Sequence, residues 1–311
     1  MEVLITCQSM VAVAPELEES FRARGLNVTA PVVQAFAEQE LRRLVPRFDG
    51  WILGDEPATA DVLEAGRRGR LRAAVKWGIG VDNVDFAAAA RLGIPIVNTP
   101  GMFGDEVADM AMAYITGLAR ATCYVDREVR TGNWPRPRGI SLSGKVVGLV
   151  GFGQIGRAIA RRLLTAGMTV QVYDPAYAAA PGLDAVVRKT WPDGIDDLDF
   201  VVLACALTPE NVHLLGAPFF ARVKPGVRVV NVARGRLIDE AALVQGLSTG
   251  RVHSAALDVF EVEPLPLDSP LRTFERCIFG SHNCSNTNEA VLRASTRALD
   301  LLCDFLRARP A

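Results

Sequence analysis

The sequence predicts an α/β protein of two domains, each a parallel β-sheet covered by helices on both faces. Three observations predict it. The chain has 311 residues, more than one hydrophobic core comfortably serves. Short apolar runs alternate with helical or turn-forming segments over most of its length, the pattern of strands joined by crossover helices. One such run, Lys145 to Val150, leads directly into Gly151-x-Gly153-x-x-Gly156 and a helical stretch carrying Ile155, Ile159 and Leu163.

Taken in order, the first runs are Val3-Leu4-Ile5, Asn27-Val28, Trp51-Ile52-Leu53, Ala73-Ala74-Val75 and Ile94-Pro95-Ile96-Val97. Near-continuous apolar character fits strands buried on both faces of a parallel sheet. Asp82-Asn83 can cap a helix from Phe86 to Arg91, and Gly93 suits its left-handed exit. From Asp105 to Arg120 the positions Val107, Ala111, Tyr114, Ile115 and Leu118 follow helical spacing, so a helix linking the two domains is expected there. Thr131 to Gly139 is rich in Gly and Pro and reads as loop. A second alternation predicts strands at Val146–Val150, Thr169–Tyr173, Phe200–Leu203, Val227–Val232, Ser254–Val259 and Cys277–Phe279, a doubly wound sheet of six strands of Rossmann type. Thr287 is placed to cap a C-terminal helix with the apolar stripe Val291, Ala294, Ala298, Leu301 and Phe305, expected to pack back on the body.

Charge narrows the function. Acidic and basic side chains nearly cancel to a net −1, which leaves no basic field for nucleic acid or an anionic membrane. A small-molecule ligand is expected instead. The N-terminal Met1-Glu2-Val3-Leu4 lacks a positive secretory leader, and no apolar run is long enough to span a bilayer, so a cytoplasmic location is expected. Six cysteines (Cys7, Cys123, Cys205, Cys277, Cys284, Cys303) show neither Cys-x-x-Cys nor finger spacing, which argues against a disulfide framework and a structural metal. Reduced, mostly buried thiols are expected.

In the glycine motif Gly151 permits the tight turn, Gly153 lets a pyrophosphate approach the backbone, and Gly156 allows close packing of helix on strand. Gln154 and Ile155 open the helix, whose first N–H groups and positive dipole end face the phosphates. The following strand ends in Asp174, about 20 residues beyond the glycines, where an adenosine ribose should lie. Asp174 can accept both ribose hydroxyls and would repel a 2'-phosphate. No Arg follows it in Pro175-Ala176-Tyr177, so NAD is expected rather than NADP.

Hydride transfer from a 2-hydroxy acid requires a base for the hydroxyl proton, a cation for the carboxylate and a group that orients the base. The histidines are His213, His253 and His282. His213 falls in an expected helix and His253 after a Gly-Arg turn, both read as structural or solvated. His282 follows a strand at the carboxyl edge of the sheet, where α/β ligands bind. Arg234 ends the run Val229 to Ala233 and can clamp a carboxylate with two parallel hydrogen bonds. Glu263, just beyond another strand, can fix the imidazole tautomer.

At this point the sequence resembles a known family, the D-isomer-specific 2-hydroxyacid dehydrogenases, and within it the phosphoglycerate dehydrogenase-like branch. The resemblance runs through Lys76-Trp-Gly-Ile-Gly80-Val-Asp-Asn-Val-Asp85, Asn98-Thr-Pro100-Gly, Gly132-Asn-Trp, the glycine motif, Thr208-Pro-Glu, Val230-Asn-Val-Ala-Arg234-Gly, Ala256-Leu-Asp258-Val-Phe-Glu-Val-Glu263-Pro and Ser281-His282, and so covers nearly the whole chain. It implies Arg234 as substrate clamp, His282 as acid/base and Glu263 as its partner. It also implies that Asp258 lies by the nicotinamide amide, that Thr208 and Ala233 line the coenzyme site, and that the backbone of Gly78, Ile79 and Gly80 meets the substrate carboxylate. The implied architecture is two Rossmann-like doubly wound domains with a cleft between them that closes on the substrate. Residues 1–98 with 286–311 would form a discontinuous, flavodoxin-like substrate domain, and residues 99–285 the NAD-binding domain, which also carries a homodimer interface. With the chain ending at Ala311, no appended regulatory domain is expected.

The sequence departs from the family pattern at Phe103, where many members carry Asn, and at Asn283-Cys284-Ser285-Asn286, which replaces an apolar-then-small stretch. Both are expected to border the substrate or nicotinamide, so the identity of the acid is not inherited. Lys76 stands where relatives can have Arg and has two readings, a surface lysine or a cation for a phosphate or second carboxylate on the substrate. Cys284 is read as inert. A rival reading is an NAD(H)-sensing, non-catalytic binding protein on the same fold. Short-chain carbonyl reductase chemistry is excluded because no tyrosine has a lysine four residues later, and zinc alcohol dehydrogenase chemistry because the cysteine spacings supply no ligand set.

Overall fold

The run Val3-Leu4-Ile5 lies fully buried in β1 (Glu2–Ile5), an interior strand of a five-stranded sheet. Its companions are β2 (Asn27–Thr29), β3 (Gly50–Leu53), β4 (Ala73–Lys76) and β5 (Ile96–Asn98), all parallel, in the flavodoxin-like order β2-β1-β3-β4-β5. The computed structural model describes residues 1–33 and 36–308. It divides into a first unit of Met1–Met102 with Asn286–Ala311 and a second of Phe103–Ser285.

In the first unit the helix Phe86–Leu92 exits through left-handed Gly93 as expected, but its cap is Asp85, whose carboxylate accepts from the Ala88 N–H. Asn83 is used elsewhere, donating to the carbonyls of Gly54 and Glu56. The C-terminal helix Asn288–Arg307 is capped by Thr287 and packs on β3 and β4. Its buried stripe continues from Ala298 to Leu302 and Leu306 along the i+4 row, leaving Leu301 and Phe305 half-buried.

The second unit holds β6 (Val146–Val150), β7 (Thr169–Tyr173), β8 (Val187–Lys189), β9 (Phe200–Leu203), β10 (Val227–Asn231), β11 (Val252–Leu257) and β12 (Ile278–Phe279). They form one parallel sheet in the order β12-β11-β10-β9-β6-β7-β8. It has one strand more than expected. The addition, β8, is an edge strand reading Val-Arg-Lys, too short and too exposed to leave an apolar signature. The winding reverses between β6 and β9, the position at which doubly wound sheets hold their ligands.

The helix Gly104–Arg120 belongs wholly to the second unit, where it packs on the helix Gln154–Thr165 rather than linking the units. Left-handed Ala121 ends it, and a further helix, Thr122–Arg130, follows with no buried residue. Thr131–Gly139 carries no helix or strand. His213 lies in a turn with φ 56°, not in a helix, because its N–H is drawn to the Arg236 carbonyl. Among the described residues no helix is long and apolar enough to cross a membrane, and no group of three His, Cys, Asp or Glu side chains could hold a metal ion.

His253 belongs to β11, which starts two residues earlier than expected. The register with β10 slips between Val227↔Val252 and Arg228↔Ser254, so His253 is the extra residue of a bulge. Burial, with help from Arg228 and Arg276, pulls its imidazole down to about 4 from 6.5. Above pH 6.5 the group is neutral folded or unfolded and contributes nothing. As pH falls from 6.5 to 4 the unfolded chain takes a proton that the folded chain refuses, and stability drops; below 4 the loss is complete. After allowance for partial exposure the loss is about 1–2 kcal/mol. His253→Gln should therefore shrink the difference in unfolding free energy between pH 7 and pH 4.5 by that amount, measured by urea denaturation.

Candidate active site

The glycine turn follows β6. Gly151 takes φ 97°, and a Cβ at position 156 would sit 2.1 Å from the Gly151 carbonyl oxygen, so helix and turn meet at a distance that excludes any side chain. An added Cβ at Gly153 would meet nothing within 4 Å, which leaves that backbone open. Gly153 caps the helix Gln154–Thr165 without a side-chain bond, and the N–H groups of Gly153, Gln154 and Ile155 have no acceptor among the described residues. Unpaired donors at a helix N-terminus suit a pyrophosphate. Asp174, one residue past β7, is held by the Phe152 N–H on one oxygen and by the Ala176 N–H at 2.7 Å on the other. These residues fit a dinucleotide: open N–H donors at the helix start suit phosphates, and a carboxylate at the end of the next strand suits ribose hydroxyls. The Phe152 ring stacks on Tyr177 at 5.0 Å, and Arg157 and Arg188 lie over these two rings, cations that the sequence did not place near Asp174.

Arg234, Glu263 and His282 follow β10, β11 and β12, three neighbouring strands, at their carboxyl ends. His282 Nδ1 lies 2.8 Å from Glu263 Oε2, and Glu263 Oε1 accepts from the Phe260 N–H at 2.9 Å. The carboxylate is thus oriented by backbone before it orients the imidazole. Arg234 is half-buried, and its Nη1 donates to the Ala233 carbonyl at 2.8 Å. Buried Asn231 shapes this turn by accepting from the Ala233 N–H and donating to the Arg234 carbonyl. A Cβ at Gly235 would fall 1.8 Å from the Phe260 carbonyl carbon, so the Arg234 turn presses directly on the segment leading to Glu263.

Asp258 is 2 % exposed. Its carboxylate accepts from the N–H groups of Asn283 at 3.1 Å and Cys284 at 3.0 Å, and from the Tyr114 hydroxyl at 3.1 Å. Sequence reading placed Tyr114 only in an apolar helical stripe; the polar end of that ring gave no signal. Burial pushes the Cys284 thiol well above its usual range, so it is a thiol and not a thiolate at neutral pH. Thr208 is exposed, its N–H bonded to Asn211 Oδ1, and Phe103 is buried at the start of the helix Gly104–Arg120. His213 forms a second imidazole–carboxylate pair, Nε2 to Glu261 Oε1 at 2.8 Å.

In the first unit Lys76 is not a surface lysine. Its side chain is 3 % exposed, with Nζ 3.2 Å from Asp55 Oδ1 and 3.0 Å from the Trp77 carbonyl. Gly78 donates its N–H to Thr99 Oγ1 at 2.8 Å, whereas the N–H groups of Ile79 and Gly80 have no acceptor among the described residues. Next to Lys76, burial raises the Glu56 carboxyl.

The profile of the D-isomer specific 2-hydroxyacid dehydrogenase family, NAD binding domain, matches residues 112–284, which lie inside the second unit. The chain belongs to this family, and the second unit contains its NAD-binding domain. Among its relatives, a D-3-phosphoglycerate dehydrogenase of Archaeoglobus fulgidus is 34% identical over 96% of this chain and 56% of its own length. A hydroxypyruvate reductase of Thermotoga maritima is 35% identical over 85% of this chain and 86% of its own. The solved TT0316 protein of Thermus thermophilus superposes with a TM-score of 0.88 at 30% identity, covering 99% of this chain and 98% of the other. The chain spans about half the length of the phosphoglycerate dehydrogenases it matches.

If Asp174 holds the adenosine ribose, Asp174→Ala should weaken NADH binding about tenfold and narrow the preference over NADPH, because the carboxylate that repels a 2'-phosphate is gone while Arg157 and Arg188 stay. Fluorescence titration with both coenzymes measures this, and an unchanged ratio of affinities would refute the ribose assignment.

Proposed function

We propose that the protein is a dehydrogenase acting on a small D-2-hydroxy acid or the corresponding 2-oxo acid with NAD(H). The observation that carries the reading is the 2.8 Å pair of His282 and Glu263 at the same sheet edge as Arg234. NAD(H), when bound, supplies or accepts the hydride. With Nδ1 tied to Glu263, the imidazole presents Nε2 to the substrate oxygen, giving a proton in reduction and taking one in oxidation. Glu263 fixes the tautomer and stabilises the imidazolium. Arg234 holds the carboxylate through its planar fork and polarises the carbonyl. The N–H groups of Ile79 and Gly80, with Gly78 between them and Lys76, are assigned to the substrate carboxylate. Lys76 is assigned to a second anionic group such as a phosphate, phosphonate or carboxylate. Thr208, Ala233 and Asp258 are assigned to the coenzyme side.

We also propose a homodimer built on the second unit. The helix Thr122–Arg130 has no fully buried residue, and Val129 and Trp134 are 42% and 74% exposed. Six free cysteines support a reducing compartment, the cytoplasm.

His282→Gln should depress kcat by about 100-fold or more with little change in substrate KM. Arg234→Ala should raise KM and lower kcat together, since the guanidinium acts on both bound acid and developing charge. Both are read at the nicotinamide absorbance on a panel of 2-oxo acids including phosphorylated ones. Near-wild-type turnover by His282→Gln ends the acid/base assignment, and tight NADH binding without turnover of any acid favours the sensor reading.

A further inference from the structure

The His282 turn is held from beneath. His282 adopts φ 58°, a left-handed conformation uncommon outside glycine, though one that His takes more readily than most side chains. Asp258 holds the backbone of this turn. Its carbonyl accepts from the His282 N–H at 2.7 Å, and its two carboxylate oxygens accept from the next two N–H groups, those of Asn283 and Cys284. Three successive backbone donors therefore close around Asp258, and the turn cannot relax without breaking them together.

What aims the Asp258 carboxylate is a third group. Tyr114, in the helix Gly104–Arg120, donates its hydroxyl to Oδ1, the same oxygen that receives the Asn283 N–H. The Tyr114 ring is 5% exposed, and burial, reinforced by Cys284 and Asp258, pushes its phenol above the ordinary range, so the O–H proton is present at every working pH. Gly280 completes the fit from the other side. A Cβ there would lie 2.1 Å from Asp258 Oδ1 and 2.5 Å from the Tyr114 hydroxyl, so both groups sit against bare backbone. In a space this closed, an aspartate that loses one of its donors must turn toward the others or draw them out of place.

We infer that Tyr114 is a positioning residue: through Asp258 its hydroxyl fixes the left-handed turn that presents His282. It touches neither substrate nor coenzyme in this role. The inference rests on the assignment of His282 as acid/base for its kinetic consequence, but its structural half stands apart from that assignment.

The test is Tyr114→Phe in the full chain, which removes one oxygen and keeps the ring in its apolar stripe. Hydrogen exchange of the Asn283 and Cys284 amides should accelerate about tenfold or more. With glyoxylate or hydroxypyruvate and NADH, kcat should fall about tenfold while KM for the acid stays within about threefold. A merely structural role would lower thermal stability and raise KM for the acid along with the fall in kcat, and that joint loss overturns the inference. So does unchanged amide protection. His282→Gln, run in parallel, separates the two claims: if it turns over normally while Tyr114→Phe still frees the amides, the acid/base assignment falls and the positioning of the turn stands.

Discussion

Close approach of backbone to backbone at one sheet edge is the constraint on which the site depends. Parallel strands lie side by side with their carboxyl ends level, so residues just past β10, β11 and β12 are neighbours whatever their distance in sequence. The loops they enter must still be drawn together. Gly235 against Phe260 and Gly280 against Asp258 do this, because each contact is shorter than any side chain would permit. The Arg234 turn then rests on the segment that carries Glu263, and the His282 turn rests on Asp258. Glu263 is aligned by the Phe260 N–H in that same pressed segment, so orientation passes from backbone to carboxylate to imidazole.

The nucleotide turn obeys the same logic at the point where the winding reverses. Gly151 and Gly156 meet where a Cβ would collide, and this brings the start of the helix Gln154–Thr165 over the end of β6 with its N–H groups unpaired. Asp174 is locked by the Phe152 N–H within that turn, so the glycine turn and the end of β7 are one hydrogen-bonded piece. A polar group whose bonds are already made keeps its orientation before the ligand arrives, which lowers the ordering cost of binding.

Much of this was legible in the chain. Apolar runs mark most of the strands because strands buried on both faces leave no alternation to confuse, and the glycine spacing marks the turn because only glycine fits it. β8 was not legible, since an edge strand of Val-Arg-Lys has no reason to be apolar. The cap of the helix Phe86–Leu92 falls to Asp85 rather than Asn83, whose amide is drawn to the carbonyls of Gly54 and Glu56, a preference no local pattern shows. Neighbouring leucines suggest a helix at His213, but the carbonyl of Arg236, distant in the chain, takes its N–H.

By itself the sequence determined the residue types at the strand ends, the parallel α/β class and the dinucleotide turn, because these follow from local pattern and from the steric uniqueness of glycine. Tertiary structure alone decided that Tyr114 meets Asp258 across 144 residues, that a bulge sets His253 against the Arg228 face, and that Lys76 is buried against Asp55. The physical reason is that hydrogen-bond partners and burial are properties of packing, and a side chain with both an apolar body and a polar end shows in sequence only the half that periodicity reports.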